Sequence, residues 1–437
     1  MKSSRYVKFI TNNDGELFLC NLFSEAVLFF PKGSEKIIKH LLSYPNVSYD
    51  NFDLQKIKNS LYKGGFLIDD NFDEREKLKE RFVVSASGRD NFSIQVAVTL
   101  QCNFRCPYCY EKHESISLSQ IKQDALVEFV RKNIKNWKRI NFSWFGGEPL
   151  LNPEVIENVS LRVLDICRDS DALLEGFITT NGFLLNEKNA AMLKRCHIRE
   201  SQITIDGDRD THNARRFLVD RTGTFDQIVK NLFVANEYLD RFRIRINVDS
   251  QSKDNMLQVI DLLDPLKEKI WLAFLPVQQV NGYCNETISY EDFRNKVSGL
   301  NELAAARGFR VSPGYRLSGA TYCGAYNKQY ILLDPRGDVH RCVVMTGKHQ
   351  YRAGYLSDNG ELVFEKNANN MWNFSPFEDK ECFNCDCLPL CMGGCQNLPF
   401  DNKNRSGRCG LKDNLERNLL MLIENGYRDN IIGRVGY

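Results

Sequence analysis

Between residues 92 and 276 the chain alternates between short apolar runs, rich in β-branched and aromatic residues, and longer amphipathic stretches. The stretches QIKQDALVEFVRKNIKNW and TFDQIVKNLFVANEYL repeat apolar residues at helical spacing. Strands that alternate with helices in this way predict a parallel sheet covered by helices. Six repeats predict an α/β fold with an incomplete, TIM-like (β/α)6 barrel over residues 90–310. The six strand-like runs are FSIQVAVTL, RINFSWF, EGFITT, SQITID, RIRINVD and KIWLAFL.

Residues 1–85 show a different pattern, in which short strands precede two short helices. YVKFI and ELFLC flank NNDG, where Asp14 and Gly15 suit the turn of a hairpin. SEKIIKHLLSYP places Ile37 and three further aliphatic residues on one face, behind Ser34 as a candidate N-cap. FDLQKIKNSLYKGG predicts a second helix that stops at the glycine pair. Together these elements predict a winged-helix-like module.

Beyond residue 310 apolar residues no longer recur at helical spacing, and the chain becomes a turn-rich segment that contains many cysteines. The closing stretch KDNLERNLLMLIENGYRDNII predicts one more helix. We therefore expect a third, cysteine-rich domain over residues 311–437.

Composition narrows the class of protein. The 58 Lys and Arg residues against 56 Asp and Glu give a formal net charge of +2, which does not indicate a nucleic-acid partner. No apolar run is long enough to span a bilayer, and the start of the chain lacks the apolar core of a signal peptide. We therefore expect no membrane partner and a cytoplasmic location, where disulfides are rare. Fifteen cysteines in such a protein indicate metal binding.

Three of these cysteines, Cys102, Cys106 and Cys109, lie in CNFRCPYCYE directly after the first strand run of the predicted barrel. A structural zinc site closes with four ligands, and no fourth ligand at zinc spacing is present. A cubane iron–sulfur cluster takes one thiolate per iron, so three thiolates would leave one iron open. In parallel α/β folds the chemistry lies in the loops that follow the strands, which is where this triad stands.

The triad, with aromatic Tyr108 before its last cysteine, resembles the signature of radical S-adenosylmethionine (SAM) enzymes. In that family three cysteines hold a 4Fe–4S cluster and SAM chelates the open iron, which would account for the missing ligand. Electron transfer then cleaves SAM to a 5′-deoxyadenosyl radical, which abstracts hydrogen from the substrate. WFGGEPLL ends the second strand run and is similar to the family's GGEP motif, which binds the SAM amino group; paired glycines also allow close backbone approach to a ligand. The residues implied are Tyr108, Gly146, Gly147, Glu148 and Pro149.

Further SAM contacts are expected where the later strand runs end. Thr180 and Asn181 in TTNG could hydrogen-bond ribose hydroxyls, although an Asn-Gly turn explains the same residues. SQITIDGDRDTHNARR resembles a segment of the sulfatase-maturase and peptide-maturase branches. Arg215 in it could clamp the SAM carboxylate, or could be a solvated loop charge. The remaining candidates are Ser201 and Asn247 for SAM binding, and Asp206 and His212 for catalysis.

Seven C-terminal cysteines match the spacing of the SPASM extension of radical SAM enzymes, which binds two auxiliary 4Fe–4S clusters. A structural zinc ribbon is the alternative, but it would use fewer thiols. The resemblance implies three clusters in all. Because residues 324–341 contain no cysteine, the inner auxiliary cluster is either open at one iron or completed by Cys387, which is extra to the pattern. The implied outer ligands are Cys382, Cys385, Cys391 and Cys409, and the inner ligands are Cys323, Cys342 and Cys395.

The resemblance covers nearly the whole chain and implies a peptide maturase. The N-terminal module is similar to the leader-binding winged helix of enzymes that modify ribosomally made peptides, which capture a leader by strand addition. A structural appendage without a ligand is the alternative for residues 1–85. The enzyme would abstract hydrogen from a precursor peptide with a leader sequence and install a crosslink, supplied with electrons by a flavodoxin- or ferredoxin-like donor. A thioether is favoured over a carbon–carbon bond because an open inner cluster could accept a substrate thiolate.

Two other functions are considered beside this one. The first is a formylglycine-generating sulfatase maturase, but those enzymes place an aspartate base where this chain has Val343. The second is a non-catalytic electron carrier with several clusters. The triad of Cys102, Cys106 and Cys109 argues against a carrier, because a pure electron carrier would close its cluster with a fourth protein ligand.

Overall fold

The computed structural model describes residues 1–12, 14–87, 90–252, 256–277, 288, 290–311, 323–365, 375–394 and 415–424 of the 437-residue chain. Contacts divide the chain into two compact units. The first joins residues 1–86 with the described parts of 315–323 and 374–437, and the second joins the described parts of 87–314 and 324–373.

The first unit begins with a small antiparallel sheet and three helices. Its elements are β1 (Lys2–Ser3), β2 (Val7–Thr11), β3 (Leu17–Asn21), β4 (Val27–Phe30), α1 (Glu35–Ser43), α2 (Phe52–Lys63), β5 (Leu67–Ile68) and α3 (Glu74–Ser87). The predicted hairpin is β2–β3, and its turn is held by Asn12 Oδ1, which accepts from the backbone N–H groups of Asp14 and Glu16. Strand β4, which the sequence pattern did not predict, extends the sheet in the order β2-β3-β4. β1 and β5 form a separate antiparallel pair.

The two predicted helices of this module are present with one difference on the first. Helix α1 buries Ile38, Leu41 and Leu42, whereas Ile37 is 43% exposed, so the predicted apolar face is narrower than expected. Ser34 occupies the N-cap position but its side chain makes no capping hydrogen bond. Helix α2 stops as predicted at the glycine pair, with Gly64 as its C-cap.

The second unit contains all six predicted barrel strands. They are β6 (Asn91–Ala97), β7 (Arg139–Phe145), β8 (Leu173–Thr179), β9 (Ile198–Thr204), β10 (Arg241–Val248) and β11 (Ile270–Pro276). Each pairs in parallel with the next along the chain, which confirms the predicted parallel α/β sheet. The helices are α4 (Gln120–Asn133), α5 (Pro153–Asp169), α6 (Glu187–Arg195), α7 (Arg209–Arg215), α8 (Phe225–Ala235), α9 (Leu257–Leu263) and α10 (Tyr290–Ala306).

Short strands extend this sheet at both edges. They are β12 (Arg310–Val311), β13 (Tyr330–Leu333), β14 (Asp338–His340), β15 (Gly354–Leu356) and β16 (Leu362–Phe364). β12 pairs with β11, and β13 pairs in parallel with β6 before the chain turns back through three antiparallel strands. Residues 324–365 therefore continue the barrel sheet, although the sequence pattern assigned them to a separate domain beginning at residue 311.

The rest of the described C-terminal part belongs to the first unit. It contains α11 (Lys380–Asn384), α12 (Leu388–Cys391) and α13 (Leu415–Glu424), of which α13 lies within the predicted closing helix. Within the described residues, no helix is both long and apolar enough to cross a membrane.

The core of the second unit lies between the parallel sheet and its helices. Ile94, Ile140, Ile178, Ile244 and Leu272 occupy the middle of five strands and are fully buried. Alternate residues along a strand point to opposite faces, so the residues between them face the other side of the sheet. That other face, with the loops that follow the strands, forms the site described next.

Candidate functional site

A cavity of about 390 Å³ lies at the carboxyl ends of the parallel strands, within the second unit. This is the end at which parallel α/β barrels carry their chemistry. The lining residues come from the six strands or the loops that follow them, and from the turn after β14. They are Cys102, Phe104, Cys106, Tyr108, Cys109, Tyr110, Gly146, Gly147, Thr179, Thr180, Asn181, Gln202, Thr204, Arg216, Arg245, Asn247, Pro276, Val277, Val343 and Val344.

The cysteine loop is an excursion from the end of β6 that returns to its own base. The N–H of Leu118 donates to the carbonyl of Val98 at 2.9 Å, which closes the loop. Within it the N–H of Cys109 donates to the carbonyl of Cys106 at 3.1 Å, so the last two cysteines share one tight turn. Phe104 is 1% exposed and anchors the loop in the core. The local fold therefore presents all three predicted thiols to one cavity.

These three cysteines are free thiols and are partly exposed. Burial raises the pKa of Cys102 and of Cys109 to about 12 and also raises the pKa of Cys106, where the nearby Arg216 acts in the opposite direction. Among the described residues that line the cavity, none of the others is a cysteine or a histidine. Three soft donors without a fourth fit a 4Fe–4S cluster with one open iron better than a four-ligand zinc site.

The glycine pair after β7 brings the backbone of two loops together. A Cβ on Gly146, whose φ is +124°, would lie 2.3 Å from the carbonyl oxygen of Thr99. A Cβ on Gly147 would lie 2.3 Å from the carbonyl oxygen of Gln101. The N–H of Gly147 donates to Thr99 O at 2.9 Å, so the pair fastens its loop to the cysteine loop. From the sequence we expected the glycine pair to let the backbone approach a ligand closely. In the structure the glycine pair closely approaches the backbone of the cysteine loop. Both glycines also line the cavity.

Glu148 lies behind the cavity wall and is fully buried. Its carboxylate accepts from Thr180 Oγ1 at 2.7 Å, from the Asn181 N–H at 2.7 Å and from the Leu150 N–H at 3.0 Å. Burial raises the pKa of Glu148, and these hydrogen bonds act in the opposite direction. Glu148 thus joins the loops after β7 and β8, and its direct contact with the SAM amine stays a prediction. Pro149 follows it, buried in a short 3-10 turn (Pro149–Leu151).

Thr180 and Asn181 both line the cavity, and their contact with the SAM ribose stays a prediction. Asn181 Nδ2 donates to Asn103 Oδ1 at 2.8 Å, which ties the loop after β8 to the cysteine loop. Asn247 also lines the cavity, and its Oδ1 accepts from Arg245 Nε at 2.7 Å. These polar groups therefore line the same cavity as the triad.

Strand β9 contributes to the cavity through residues other than the predicted one. Ser201 is completely buried on the core face, and its hydroxyl has no hydrogen-bond partner. Gln202 and Thr204 point to the opposite face and line the cavity. The selection of Ser201 is therefore corrected by one position, since side chains alternate along a strand.

Arg215 is likewise displaced from its expected role by one residue. Its guanidinium lies 2.8 Å from the Asp249 carboxylate and donates to Asn247 O at 3.2 Å and Ser252 Oγ at 3.1 Å. It is not among the residues that line the cavity, whereas its neighbour Arg216 is. The described cationic residues that line this cavity are Arg216 and Arg245, and Arg216 is the one next to the predicted Arg215.

Asp206 and His212 stand behind the cavity wall, so neither catalytic candidate lines the cavity. The Asp206 carboxylate accepts from the Tyr108 hydroxyl and, at 3.0 Å, from the Asn247 N–H. Arg216 Nη1 donates to the same Tyr108 oxygen at 2.9 Å. His212 is fully buried, its Nε2 is 3.1 Å from Thr224 Oγ1, and burial holds its pKa well below the ordinary value. Asp206 therefore orients Tyr108 and Arg216, and His212 is neutral.

Comparison with known proteins agrees with this geometry. The family model of the Radical SAM superfamily matches residues 96–263, from the end of β6 through α9. The chain carries a radical SAM domain. Proteins with this domain are enzymes that use a 4Fe–4S cluster and SAM.

Two curated relatives extend the radical SAM likeness beyond that domain. Radical SAM cyclopropyl synthase TigE of Paramaledivibacter caminithermalis is 25% identical, with 98% of this chain and 97% of that protein covered. The cysteine-type anaerobic sulfatase-maturating enzyme of Clostridium novyi is 23% identical, with 72% of this chain and 89% of that enzyme covered.

Solved structures share the radical SAM fold. The anSMEcpe structure with bound AdoMet and the Cp18Cys peptide has a TM-score of 0.57 at 18% identity, covering 78% of this chain and 98% of that one. SuiB of Streptococcus suis bound to S-adenosylmethionine has a TM-score of 0.53 at 15% identity, covering 91% of this chain and 96% of that one. SuiB bound to its precursor peptide SuiA has a TM-score of 0.50 at 16% identity, with coverages of 91% and 95%.

Sequence reasoning missed several residues that line the radical SAM cavity. Arg245 alternates with the predicted Asn247 on β10, so strand periodicity could have found it. Pro276 ends β11 and Val277 follows it, and Val343 and Val344 follow Cys342. These apolar residues belong to no sequence motif. The full set of missed residues is Phe104, Tyr110, Thr179, Gln202, Thr204, Arg216, Arg245, Pro276, Val277, Val343 and Val344.

The C-terminal cysteines lie outside the radical SAM domain. Three of them are partly exposed: Cys382 lies on α11, Cys385 directly follows that helix, and Cys391 ends α12. Cys387 between them is 2% exposed, and its N–H lies 3.4 Å from Cys385 Sγ. Four thiols within ten residues are a donor set that suits an iron–sulfur cluster.

The remaining predicted ligands differ in what the structure describes. Cys323 and Cys342 are partly exposed. Cys395 and Cys409 lie outside the described residues. The assignment of inner and outer ligand sets therefore stays a prediction.

Proposed function

We propose that this enzyme is a radical SAM peptide maturase that removes hydrogen from a residue of a ribosomally made precursor peptide and installs a new bond. The observation that carries the proposal is the apolar part of the cavity wall. Val343 and Val344, together with Pro276 and Val277, contribute apolar side chains to that wall, and no carboxylate is among the described lining residues. Such a surface suits an aliphatic side chain and offers no general base.

The chain's own residues have distinct parts in this reaction. Cys102, Cys106 and Cys109 would hold the cluster, which when bound supplies the electron that cleaves SAM. Arg216 offers a fixed cation for the SAM carboxylate, and its hydrogen bond to Tyr108 fixes its direction. The apolar wall would hold the target C–H close to the SAM ribose and exclude water from the radical.

The first candidate for the new bond is a thioether. One hydrogen atom passes from the target carbon to the 5′-deoxyadenosyl radical, the substrate thiol loses a proton, and carbon–sulfur bond formation releases one electron. The electron consumed in SAM cleavage is thereby balanced, and the peptide loses two hydrogens. Support comes from the seven-cysteine pattern, which leaves one inner ligand position unfilled. Formylglycine formation is disfavoured, since Val343 stands where sulfatase maturases place their aspartate.

A second candidate is a cyclopropane ring within one residue. It is favoured by the relative named cyclopropyl synthase, which aligns over 98% of this chain. Ring closure between two carbons of one side chain also removes two hydrogens, so peptide mass alone does not separate it from a thioether.

The auxiliary clusters and partners complete the proposal. Cys382, Cys385, Cys391 and Cys409 would hold the outer cluster, with the inner one on Cys323, Cys342 and Cys395, completed by Cys387 or open at one iron. Electrons would come from a flavodoxin- or ferredoxin-like donor. The N-terminal module would bind the leader of the precursor peptide along a free strand edge.

The deciding experiment is mass spectrometry of a precursor peptide co-expressed with the enzyme, before and after alkylation with iodoacetamide. A loss of two hydrogens together with one fewer alkylated cysteine supports a thioether. The same loss with every cysteine still alkylated supports the ring. A mass shift for cysteine converted to formylglycine, or no change with any tested precursor while SAM is cleaved, overturns the maturase proposal.

A further inference from the structure

Within the first unit, a cation of the N-terminal sheet contacts the cysteine segment that carries α11 and α12. Lys8, on β2, forms an ion pair with Asp386, which stands between Cys385 and Cys387. The Lys8 side chain is only 20% exposed and that of Asp386 is 43% exposed. A pair partly shielded from solvent is screened less by salt than a surface pair.

Two arginines of the N-terminal module meet the same segment one turn earlier. Arg75 Nη2 donates to Asn384 Oδ1 at 3.1 Å, and Arg5 Nη2 donates to Asn384 O at 3.3 Å. The Arg75 guanidinium also lies 4.3 Å from the centroid of the Phe383 ring. A planar guanidinium can stack and donate at the same time, which a lysine ammonium cannot do. Asn384 and Phe383 lie between Cys382 and Cys385, so both contacts bear on the ligand loop.

The positions of these cations are fixed by the fold of the module. Glu74 accepts from Ser4 Oγ at 2.5 Å and from the Arg5 N–H at 3.0 Å, which holds the chain before β2 against the start of α3. Glu74 is 6% exposed, so this junction is buried. Further along α3, Phe82 packs edge-on against Phe377 at 5.7 Å between ring centroids.

The contacting side chains of the N-terminal module are cationic, whereas the cysteine segment is acidic. The segment from 375 to 394 carries Glu378, Asp379, Glu381 and Asp386 against a single Lys380. Thiolates that hold a cluster would add further negative charge. The reduction potential of an iron–sulfur cluster depends on its net charge and on the charges and hydrogen bonds around it.

We propose that Lys8 and Arg75 are positioning residues for the iron–sulfur cluster bound by Cys382, Cys385 and Cys391. Through Asp386 and Asn384 they hold the ligand loop in shape, and their charge raises the reduction potential of the cluster. The N-terminal module thereby serves the metal centre in addition to any peptide. This inference rests on the cluster assignment of the proposed function and is independent of which peptide bond is made.

The test uses the full-length chain with Cys102, Cys106 and Cys109 changed to Ala, so that the remaining iron belongs to the C-terminal cysteines. In that background Lys8→Ala with Arg75→Ala is compared with a matched pair, Lys39→Ala with Lys77→Ala. The control lysines lie on the same module, and their ion pairs to Glu35 and Glu80 stay within their own helices. The readouts are iron per chain, the rate of iron release to a chelator, and the potential from a redox titration followed by electron paramagnetic resonance.

We expect the Lys8 and Arg75 changes to release iron at least threefold faster than the control pair and to shift the potential to more negative values. Lys8→Asp combined with Asp386→Lys should recover part of the loss. Lys8→Met, which keeps the aliphatic stem, gives the same comparison alone if the double variant is insoluble. Release rates and potentials equal to those of the control pair, or no iron in the unmodified background, overturn the proposal.

Discussion

The hydroxyl of Thr180 donates a 2.7 Å hydrogen bond to the buried carboxylate of Glu148, and this contact joins the loops that follow two neighbouring strands. Because the Asn181 N–H also donates to Glu148, the carboxylate supports the part of the cavity that the ribose of SAM is proposed to meet. The GGEP sequence thus has a structural part in addition to any direct contact with SAM.

Glu148→Gln should weaken SAM binding and lower the thermal unfolding temperature. An amide keeps one neutral acceptor where the carboxylate offers two charged oxygens, and a hydrogen bond to a charged group contributes about 1.5–3 kcal/mol. Thr180→Val, which keeps the shape and removes the donor, should act in the same direction to a smaller extent. Calorimetric SAM titration and thermal unfolding measure both. If Thr180→Val leaves SAM affinity unchanged while Glu148→Gln weakens it, Glu148 acts by direct contact with the SAM amine.

Changing Cys102, Cys106 and Cys109 together to Ala should remove about four irons per chain, the content of one cubane. SAM cleavage should be lost completely, while iron bound by the C-terminal cysteines remains. Iron assay and detection of 5′-deoxyadenosine by chromatography measure the two effects. Cys167→Ala is the control, because Cys167 is a buried cysteine on α5 that does not line the cavity. Retained SAM cleavage in the triple variant would rule out the assignment of the cluster.

Arg215 and Arg216 should respond differently to the same substitution. Arg216→Met should weaken SAM binding with little change in stability, since Arg216 lines the cavity. Arg215→Met should lower the free energy of unfolding by about 3–5 kcal/mol, because it leaves the buried Asp249 without its cation. Denaturant unfolding and SAM titration on both variants check this. If Arg215→Met weakened SAM binding and Arg216→Met lowered stability instead, Arg215 would be the residue that binds the SAM carboxylate.

The contrast between these two arginines shows where sequence reasoning succeeded and where it stopped. The six strands were predictable because each is a distinct apolar run between amphipathic stretches, and the cysteine triad because its spacing is specific. The stretch SQITIDGDRDTHNARR indicated that the segment around Arg215 belongs to the site. It did not indicate which arginine side chain lines the cavity. That choice depends on where helix α7 ends, and Arg216 is its C-cap.

Tertiary contacts account for the other differences between the sequence-based predictions and the structure. Ser201 and Thr204 lie on opposite faces of one strand, and only the packing of the whole sheet decides which face meets the cavity. Strand β13 pairs with β6 across more than two hundred residues, and no local pattern indicates that pairing. The sequence showed Val343 at the position where sulfatase maturases have an aspartate. Its place in the cavity wall depends on the turn after β14, which the sequence pattern did not indicate.

Val343→Asp should abolish peptide modification while leaving SAM cleavage without peptide largely unchanged. A carboxylate on the apolar wall would disfavour an aliphatic target side chain, whereas the proposed ligands of SAM are unaltered. Val343→Ala is the control for lost volume and should retain more activity than Val343→Asp. The measurements are 5′-deoxyadenosine formation and peptide mass in parallel. Full peptide modification by Val343→Asp would show that the wall does not contact the target residue.

Strand β4 is the edge at which we expect a leader peptide to add, and one substitution tests it without removing the module. Asn21 N–H donates to Ala26 O, and the β3–β4 register continues from that pair. By the alternation of an antiparallel ladder, the N–H of Phe29 then points away from β3 toward the open edge. Proline at position 29 would remove that donor and keep the ladder to β3.

Phe29→Pro should therefore weaken leader binding roughly three- to tenfold relative to Phe29→Ala, the equivalent of about one net hydrogen bond. The alanine variant is the matched control because it removes the same ring but keeps the N–H. Fluorescence anisotropy with a labelled leader peptide measures both affinities, and thermal unfolding confirms that the two variants fold alike. A truncation of residues 1–85 would be a poorer test, since Lys8 and Arg75 contact the Cys382–Cys391 segment. Equal affinities for the proline and alanine variants would exclude strand addition at β4.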